Sequence, residues 1–204
     1  MYLETLSDKQ AELLPYINPF KNSFYLVGGT AIALQIGHRR SIDFDLFTYT
    51  KLNKSRIRQN LLQIPLKQQI IFEDVDQMHF YVNEVKLTFF NYPYPVEHLV
   101  RTDQKLSMPT LLSLAAMKAF ALGRRAKWKD YLDLYFLIKY HFSISQIATE
   151  AKKIFDTQFS EKLFREQLSF HKDIDYTEKV EFMPGFEVEA TTIKNFLIDK
   201  ALEW

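Results

Sequence analysis

In the first quarter of the chain, the order of apolar and polar positions predicts four connected elements. An apolar run at 24–27 is followed by the glycine pair Gly28 and Gly29, a short helical pattern at 31–36, a basic loop, and a second apolar run at 42–47. Short apolar runs bounded by turn residues are typical of strands, and glycine permits a tight turn. The order therefore predicts strand, turn, helix, loop and strand.

The second of these strands carries two acidic residues. Side chains two positions apart in a strand point to the same face, so Asp43 and Asp45 project together. We expect Ile42, Phe44 and Leu46 to point the other way, into a core. Neighbouring carboxylates repel each other unless a cation lies between them. Mg²⁺ prefers one or two carboxylates together with substrate phosphate oxygens, so this pair is a candidate magnesium site.

Further along the chain, the pattern first favours short strands and then favours helices. Three apolar runs are separated by short polar turns, as in a β-meander, and from about residue 109 Leu, Ala and aromatic residues recur at helical spacing. We therefore predict an α+β protein: an α/β lobe at 1–95, with a small mixed sheet flanked by helices, and a helical C-terminal lobe at 96–204. The predicted strands are 69–72, 78–82 and 85–90; the predicted helices are 55–64, 109–122, 128–139, 143–155, 160–170 and 190–202, with Ser7 and Gln10 capping a further helix at the start.

The composition narrows the class of protein. The 204 residues carry a net charge of +1, 47% hydrophobic residues and no cysteine. This length indicates one large domain or a domain with an appended lobe. The near-neutral charge gives no bulk attraction to nucleic acid, so any such contact must rest on a local patch. Without cysteine there is no disulfide framework, cysteine nucleophile or cysteine metal site.

The sequence has no targeting or membrane pattern. Its start lacks the basic-then-apolar order of a signal peptide, and no run approaches the roughly 20 apolar residues of a membrane helix. We therefore expect a cytoplasmic protein that does not contact a membrane.

A lysine interrupts an otherwise apolar helical pattern in the second half. Lys118 follows the apolar run 111–117, and an ammonium in such a setting needs a carboxylate or a phosphate as partner. Asp130 and Asp133 are three positions apart and share a helix face. Two interpretations stay open: a structural ion-pair network in which Lys118 or Arg124 pairs with Asp130, or a site in which Lys118 contacts phosphate.

Two stretches carry a resemblance to a known family. GGT at 28–30 with GHRRSIDFDLF at 37–47 resembles the signature of the nucleotidyltransferase superfamily. KAFALGRRAKWKDYLDLYFL at 118–137 is similar to the helical motif of its AbiEii/AbiGii toxin-like branch, the toxin half of type IV toxin–antitoxin and abortive-infection systems. The resemblance implies a polymerase-beta-like fold. It also implies Mg²⁺-dependent transfer of a nucleoside monophosphate from an NTP to an acceptor hydroxyl, on an RNA such as tRNA or on a protein, and a cognate antitoxin as partner.

The matching positions imply a role for each residue. Asp43 and Asp45 are the metal ligands and belong to the catalytic set. Lys118 clamps the triphosphate, and Asp130 is a base or orients Lys118. Glycine lets the backbone approach a phosphate, and the helix N-terminus offers N–H groups to an anion. The expected phosphate-binding residues are Gly28, Gly29, Thr30, Arg39, Arg40 and Lys127.

One position departs from the family pattern. Members often carry a third carboxylate on a later strand, as metal ligand or base, and the matching position here holds Thr88. Threonine is a poor metal ligand and is no base at neutral pH. Glu84, Glu73 and Asp74 are the candidates to take over. The departure leaves two alternatives open: a nucleotide- or partner-binding module with weakened catalysis, and kinase-like phosphate transfer to protein.

Overall fold

The computed structural model of the chain describes residues 1–101 and 106–203. It divides into two compact units, Met1–Thr110 and Leu111–Trp204. The sequence pattern placed the division after residue 95, whereas the compact units divide after Thr110. The reason is a two-stranded ribbon, β6 (Val100–Arg101) and β7 (Ser107–Met108), whose second strand packs against β1 (Tyr25–Val27) of the first unit.

A five-stranded mixed sheet forms the centre of the first unit. Besides β1, its strands are β2 (Asp43–Thr48), β3 (Gln68–Glu73), β4 (Gln77–Val82) and β5 (Val85–Asn91). Their spatial order is β1-β2-β5-β4-β3. The parallel pair is β2 with β5, and the other neighbouring pairs are antiparallel. Strands β3, β4 and β5 form the predicted meander.

The described α-helices of the first unit are α1 (Asp8–Ile17), α2 (Gly28–Ile36) and α3 (Lys54–Leu62). The predicted capping box at the start of α1 is confirmed. The backbone N–H of Gln10 donates to Ser7 Oγ at 3.3 Å, and the backbone N–H of Ser7 donates to Gln10 Oε1 at 3.0 Å. These two bonds satisfy N–H groups that a helix start otherwise leaves unpaired.

One face of the sheet is buried in an aromatic and aliphatic core. Phe44 is fully buried on β2, and on β5 the ring of Phe89 lies 4.8 Å from Phe20 and 5.2 Å from Phe24 between centroids. The prediction that Ile42 also points into this core is wrong, since its side chain is 66% exposed. Strand β2 begins one residue later, so Ile42 does not take part in the alternation.

The second unit is helical, as predicted. Its described α-helices are α4 (Leu111–Leu122), α5 (Trp128–Tyr140), α6 (Ile144–Phe155), α7 (Glu161–Ser169) and α8 (Ala190–Leu202). Helix α4 packs against α5, α6 and α7, and α8 packs against α5 and α7. Every residue of α5 from 130 to 138 is buried, which places even its acidic residues in the interior. None of the helices in the described part of the chain is long and apolar enough to cross a membrane.

Candidate active site

The turn between β1 and α2 brings a carboxylate against the start of the helix. Gly28 is the first residue of α2 and has a φ of +73°. Its neighbour Val27 lies opposite Asp45 in the β1–β2 pairing. A Cβ atom at Gly28 would overlap Asp45 Oδ2 and would lie 3.3 Å from Asp45 Cγ. Glycine is therefore required twice here, by the left-handed backbone and by the approach of the carboxylate.

The second glycine of the turn lies against a cation. A Cβ atom at Gly29 would overlap Nη2 of Arg39 and would lie 3.1 Å from Ser41 Oγ. Arg39 is buried, and its Nη1 donates to the Arg40 carbonyl at 2.8 Å. None of the described side chains caps α2, so the N–H groups at its start keep their partial positive charge for an anion. A carboxylate and a guanidinium therefore flank a helix N-terminus.

Thr30 and Arg40, which are predicted to contact phosphate, already donate hydrogen bonds to backbone carbonyls of the protein. Thr30 is buried, and its hydroxyl donates to the main-chain carbonyl of Asp43 and lies 2.9 Å from Ser41 Oγ. It thus ties α2 to the start of β2. Arg40 Nη1 donates to the carbonyl of Leu6 at 3.1 Å. A phosphate would have to replace these bonds, and both contacts stay predictions.

Asp43 and Asp45 lie together on the face of β2 opposite the core. Across the parallel pairing, Lys86 is the partner of Asp43 and Thr88 is the partner of Asp45. Two carboxylates on one face, beside a glycine turn that a Cβ atom would fill, fit the donor set of Mg²⁺ when substrate phosphates supply further oxygens. No group of three or more acidic, histidine or cysteine side chains within the described residues is arranged to hold a metal. The site therefore offers two carboxylates.

The three candidates for the missing third carboxylate have other partners. Glu84 lies in the turn between β4 and β5 and pairs with Lys9 at 2.5 Å. Glu73 pairs with Arg58 at 2.5 Å, and Asp74 Oδ1 accepts from the next backbone N–H at 2.7 Å. None of these three carboxylates stands beside the metal pair, and the idea that one of them takes over is not supported.

A histidine that is not among the sequence-predicted site residues lies beside Thr88. His79 is the β4 partner of Thr88, with its Nδ1 3.4 Å from Thr88 Oγ1 and its Nε2 3.0 Å from Gln77 Oε1. Burial lowers the pKa of His79 below its usual value, Lys86 lowers it further, and Asp45 partly opposes both. A signal for this contact was present in the sequence, because a two-residue turn joins the predicted strands 78–82 and 85–90 and such a hairpin pairs residue 79 with residue 88.

In the second unit, Lys118 is buried between two carboxylates. Its Nζ lies 2.5 Å from Asp130 Oδ1 and 2.9 Å from Asp133 Oδ2. Arg125 adds a two-bond contact to Asp130, with Nε at 2.8 Å from Oδ2 and Nη2 at 3.2 Å from Oδ1. Burial of Asp130 raises its pKa, but Lys118 and Arg125 outweigh this and hold the pKa below its ordinary value. Two cations thus balance two buried anions.

The ion-pair network considered from the sequence is therefore present, with one correction. Arg124 does not take part, because its guanidinium lies 3.5 Å above the ring of Phe120 and donates to the Phe120 carbonyl. A carboxylate with a lowered pKa and two cationic partners is a weak proton acceptor, which counts against Asp130 as a base. The contact of Lys118 with a triphosphate stays a prediction.

Lys127 also has a carboxylate partner. Lys127 and Lys129 both pair with Glu178. Burial of Glu178 raises its pKa, but the two lysines outweigh this effect and lower the pKa to about 2. A phosphate at Lys127 would compete with this carboxylate, and that contact also stays a prediction.

Comparison with known proteins identifies the family. The sequence model of the family described as "Nucleotidyl transferase AbiEii toxin, Type IV TA system" matches residues 14–69 and 82–202. The chain belongs to the AbiEii family. An uncharacterized protein of Aquifex aeolicus (strain VF5) is 30% identical over 139 residues, which span 65% of this chain and 66% of that protein. The resemblance found in the sequence is thereby confirmed.

Solved structures similar to this AbiEii-family chain confirm the nucleotidyltransferase fold. A putative nucleotidyltransferase from Helicobacter pylori has a TM-score of 0.62 at 18% identity, covering 95% of this chain and 92% of its own. JHP933 from the same species has a TM-score of 0.58 at 20% identity, covering 96% and 91%. MenT4, a nucleotidyltransferase toxin from Mycobacterium tuberculosis H37Rv, has a TM-score of 0.62 at 13% identity, covering 95% and 80%.

The contact between Gly28 and Asp45 predicts the effect of Gly28→Ala. The left-handed backbone should cost about 1–2 kcal/mol of unfolding free energy, and displacement of Asp45 should weaken binding of Mg²⁺ with an NTP at least about tenfold. Gly185→Ala is the matched control, because Gly185 has a φ of +87° and nothing within 4 Å of an added Cβ atom. Urea unfolding and titration calorimetry measure the two effects. Equal nucleotide affinity in the two variants would contradict this account of the turn.

The buried cluster predicts that Lys118→Met destabilises the AbiEii-family protein. The change leaves Asp130 and Asp133 without their shared cation, which should cost about 3–5 kcal/mol of unfolding free energy at pH 7. The folded-state pKa of Asp130 is depressed, so its contribution is present above its unfolded-state pKa and is lost as pH falls through the folded value. The difference between wild type and variant should therefore shrink towards pH 3. Urea unfolding at several pH values measures it, with the exposed Lys152→Met as control; a loss under about 1 kcal/mol would refute the prediction.

Proposed function

We propose that this AbiEii-family protein transfers a nucleoside monophosphate from an NTP to an acceptor hydroxyl, in the presence of Mg²⁺, as the toxin of a toxin–antitoxin or abortive-infection system. The acceptor is a hydroxyl of an RNA such as tRNA, or of a protein. An antitoxin is the expected partner, and the cytoplasm is the expected compartment. Family membership supports the reaction class, and the similarity to a fold that MenT4 shares agrees with it.

The single observation that carries the proposal is the contact between Gly28 and Asp45. It joins the two halves of the motif, a helix N-terminus that attracts phosphate and a carboxylate pair that attracts a divalent cation, at one point of the fold. An anion such as a triphosphate and its metal would be neighbours there, as the transfer of a phosphoryl or nucleotidyl group requires.

In this proposal Asp43 and Asp45 hold Mg²⁺, and the backbone of Gly28 and Gly29 receives the phosphates. When bound, the ion neutralises charge that develops on the phosphate oxygens and the leaving pyrophosphate. Arg39 packs on Gly29, so its guanidinium adds positive charge to the same turn. In each of these roles opposite charges meet: the two carboxylates face Mg²⁺, and the triphosphate faces Mg²⁺, the helix N-terminus and Arg39.

One observation favours a second candidate function. Thr88 stands beside Asp45 where the family pattern often has a third carboxylate, and none of the described carboxylates replaces it. A nucleotide- or partner-binding module with weakened catalysis would need the two carboxylates and the glycine turn, but not a third acid. Kinase-like transfer of the γ-phosphate to protein uses the same parts.

Incubation with Mg²⁺, total RNA and each of the four NTPs tests the proposal. With the label on the α-phosphate, we expect label in RNA or protein. Label that enters protein from the γ-phosphate instead would indicate a kinase-like reaction, and bound nucleotide without any transfer would indicate a binding module. Either of these results would overturn the proposal.

The assignment of Asp43 and Asp45 is tested by the double variant Asp43→Asn with Asp45→Asn. Because the amides keep the shape but lose the charge that holds Mg²⁺, transfer should fall at least about 1,000-fold. Asp76→Asn, an exposed acid in the turn between β3 and β4, is the control and should keep wild-type activity. Residual transfer within tenfold of wild type in the double variant would show that the metal site lies elsewhere.

A further inference from the structure

Three side chains beside the carboxylate pair form a hydrogen-bonded chain. Thr88 is the partner of Asp45 across β2 and β5, and His79 is the partner of Thr88 across β5 and β4. His79 Nδ1 lies 3.4 Å from Thr88 Oγ1, and His79 Nε2 lies 3.0 Å from Gln77 Oε1. Partner residues in neighbouring strands stand on the same face, so the chain starts next to Asp45 and runs across the sheet.

This chain decides which nitrogen of His79 can take up a proton. The Gln77 amide oxygen can only accept a hydrogen bond, so Nε2–H donates to it and the neutral ring keeps its lone pair on Nδ1. The Thr88 hydroxyl donates to that lone pair. A hydroxyl, a base and a group that orients the base therefore follow one another, which is the arrangement by which proteins activate hydroxyl groups.

Burial and the neighbouring charges together lower the pKa of His79, which favours a neutral ring near pH 7. Lys86 on β5 and Asp45 on β2 act on it in opposite directions, and β3 contributes the ring of Phe72 at 5.6 Å between centroids. Burial and Lys86 lower the pKa of His79, Asp45 raises it, and the result lies below the usual value. A neutral imidazole can accept a proton, whereas an imidazolium cannot.

The other candidate bases are engaged elsewhere. Asp130 is fully buried and paired with Lys118 and Arg125. Glu73 pairs with Arg58, and Glu84 pairs with Lys9. Among the residues that the structure describes, the strand partner of Asp45 on β5 is thus a hydroxyl that is no base itself but is hydrogen bonded to one.

We infer that His79 accepts the proton of the transfer reaction through the hydroxyl of Thr88, in place of the absent third carboxylate. The inference rests on the proposed nucleotidyl transfer. His79 and Gln77 act through Thr88 and are positioning residues, and both lie in the stretch 70–81 that the family match leaves out.

The acceptor oxygen bonds to the α-phosphorus of the NTP, the bond from that phosphorus to the bridging oxygen breaks, and pyrophosphate leaves. The acceptor proton passes to Thr88 Oγ1, whose own proton passes to His79 Nδ1. The imidazolium that forms then releases this proton to solvent.

The pH dependence of transfer tests the inference. In the wild type, kcat should fall as the pH drops through a value below about 6.5, since protonated His79 cannot accept. His79→Gln and Thr88→Val both break the hydrogen-bonded chain, so each should lower kcat about 100-fold or more and leave the KM for the NTP within about threefold. Each should also remove the fall of kcat at low pH, which is the acidic limb of the pH profile. His141→Gln is the control, because His141 lies in the second unit and its pKa is also lowered by burial.

A rescue variant separates proton transfer from loss of packing. Thr88→Asp restores the carboxylate of the family pattern, so the double variant His79→Gln with Thr88→Asp should regain at least about tenfold in kcat over His79→Gln, with its acidic limb moved to lower pH. Nitrogen NMR of the nucleotide-free protein at pH 7.5 should show that Nε2 of His79 carries a proton and that Nδ1 is unprotonated.

These experiments distinguish a failure of the role of His79 from a failure of the proposed nucleotidyl transfer. If the wild type transfers a nucleotide but His79→Gln keeps the full rate and the acidic limb, the role of His79 is refuted while the proposed function stands. A double variant no faster than His79→Gln, or a ring protonated on Nδ1, would refute it as well. If the wild type transfers no nucleotide to RNA or protein, the proposed function fails and the inference fails with it.

Discussion

The close approach of the Asp45 carboxylate to the Cα of Gly28 is the constraint on which the candidate site depends. It requires a residue without a Cβ atom and with a positive φ at the first position of α2, and it fixes the distance between this helix and β2. The hydroxyl of Thr30 reinforces the same junction through the carbonyl of Asp43. A glycine turn and an acidic strand, each common on its own, form the proposed nucleotide site because they meet here.

The two compact units use charge in different ways. In the first unit, Asp43 and Asp45 share a sheet face with Lys86 and Thr88, their partners on β5. In the second unit, Asp130 and Asp133 are fully buried, and two cations compensate them. The first arrangement suits binding from solution, whereas the second stabilises the packing of α4 against α5.

Much of the fold followed from the sequence. Apolar periodicity, caps and prolines gave the helices of the second unit within a few residues, and the alternation in 42–47 gave the face of Asp43 and Asp45. The pairing of β2 with β5 did not follow, because this parallel contact joins segments about forty residues apart and leaves no local signal. The pairing of His79 with Thr88 was within reach, since the two-residue turn between the predicted strands 78–82 and 85–90 fixes their register. What the sequence could not show is that this pair lies next to Asp45, because that depends on the β2–β5 contact. The prediction for Ile42 was wrong because the alternation of apolar and polar residues does not show at which residue the strand begins.

The most direct test of this account is a crystal structure of the protein with Mn²⁺ and a non-hydrolysable NTP, with the metal located by its anomalous scattering. The account predicts Mn²⁺ bound to carboxylate oxygens of Asp43 and Asp45, with the triphosphate against the backbone N–H groups of Gly28 and Gly29. Metal bound away from these two carboxylates, or a nucleotide whose phosphates do not touch the turn, would contradict it.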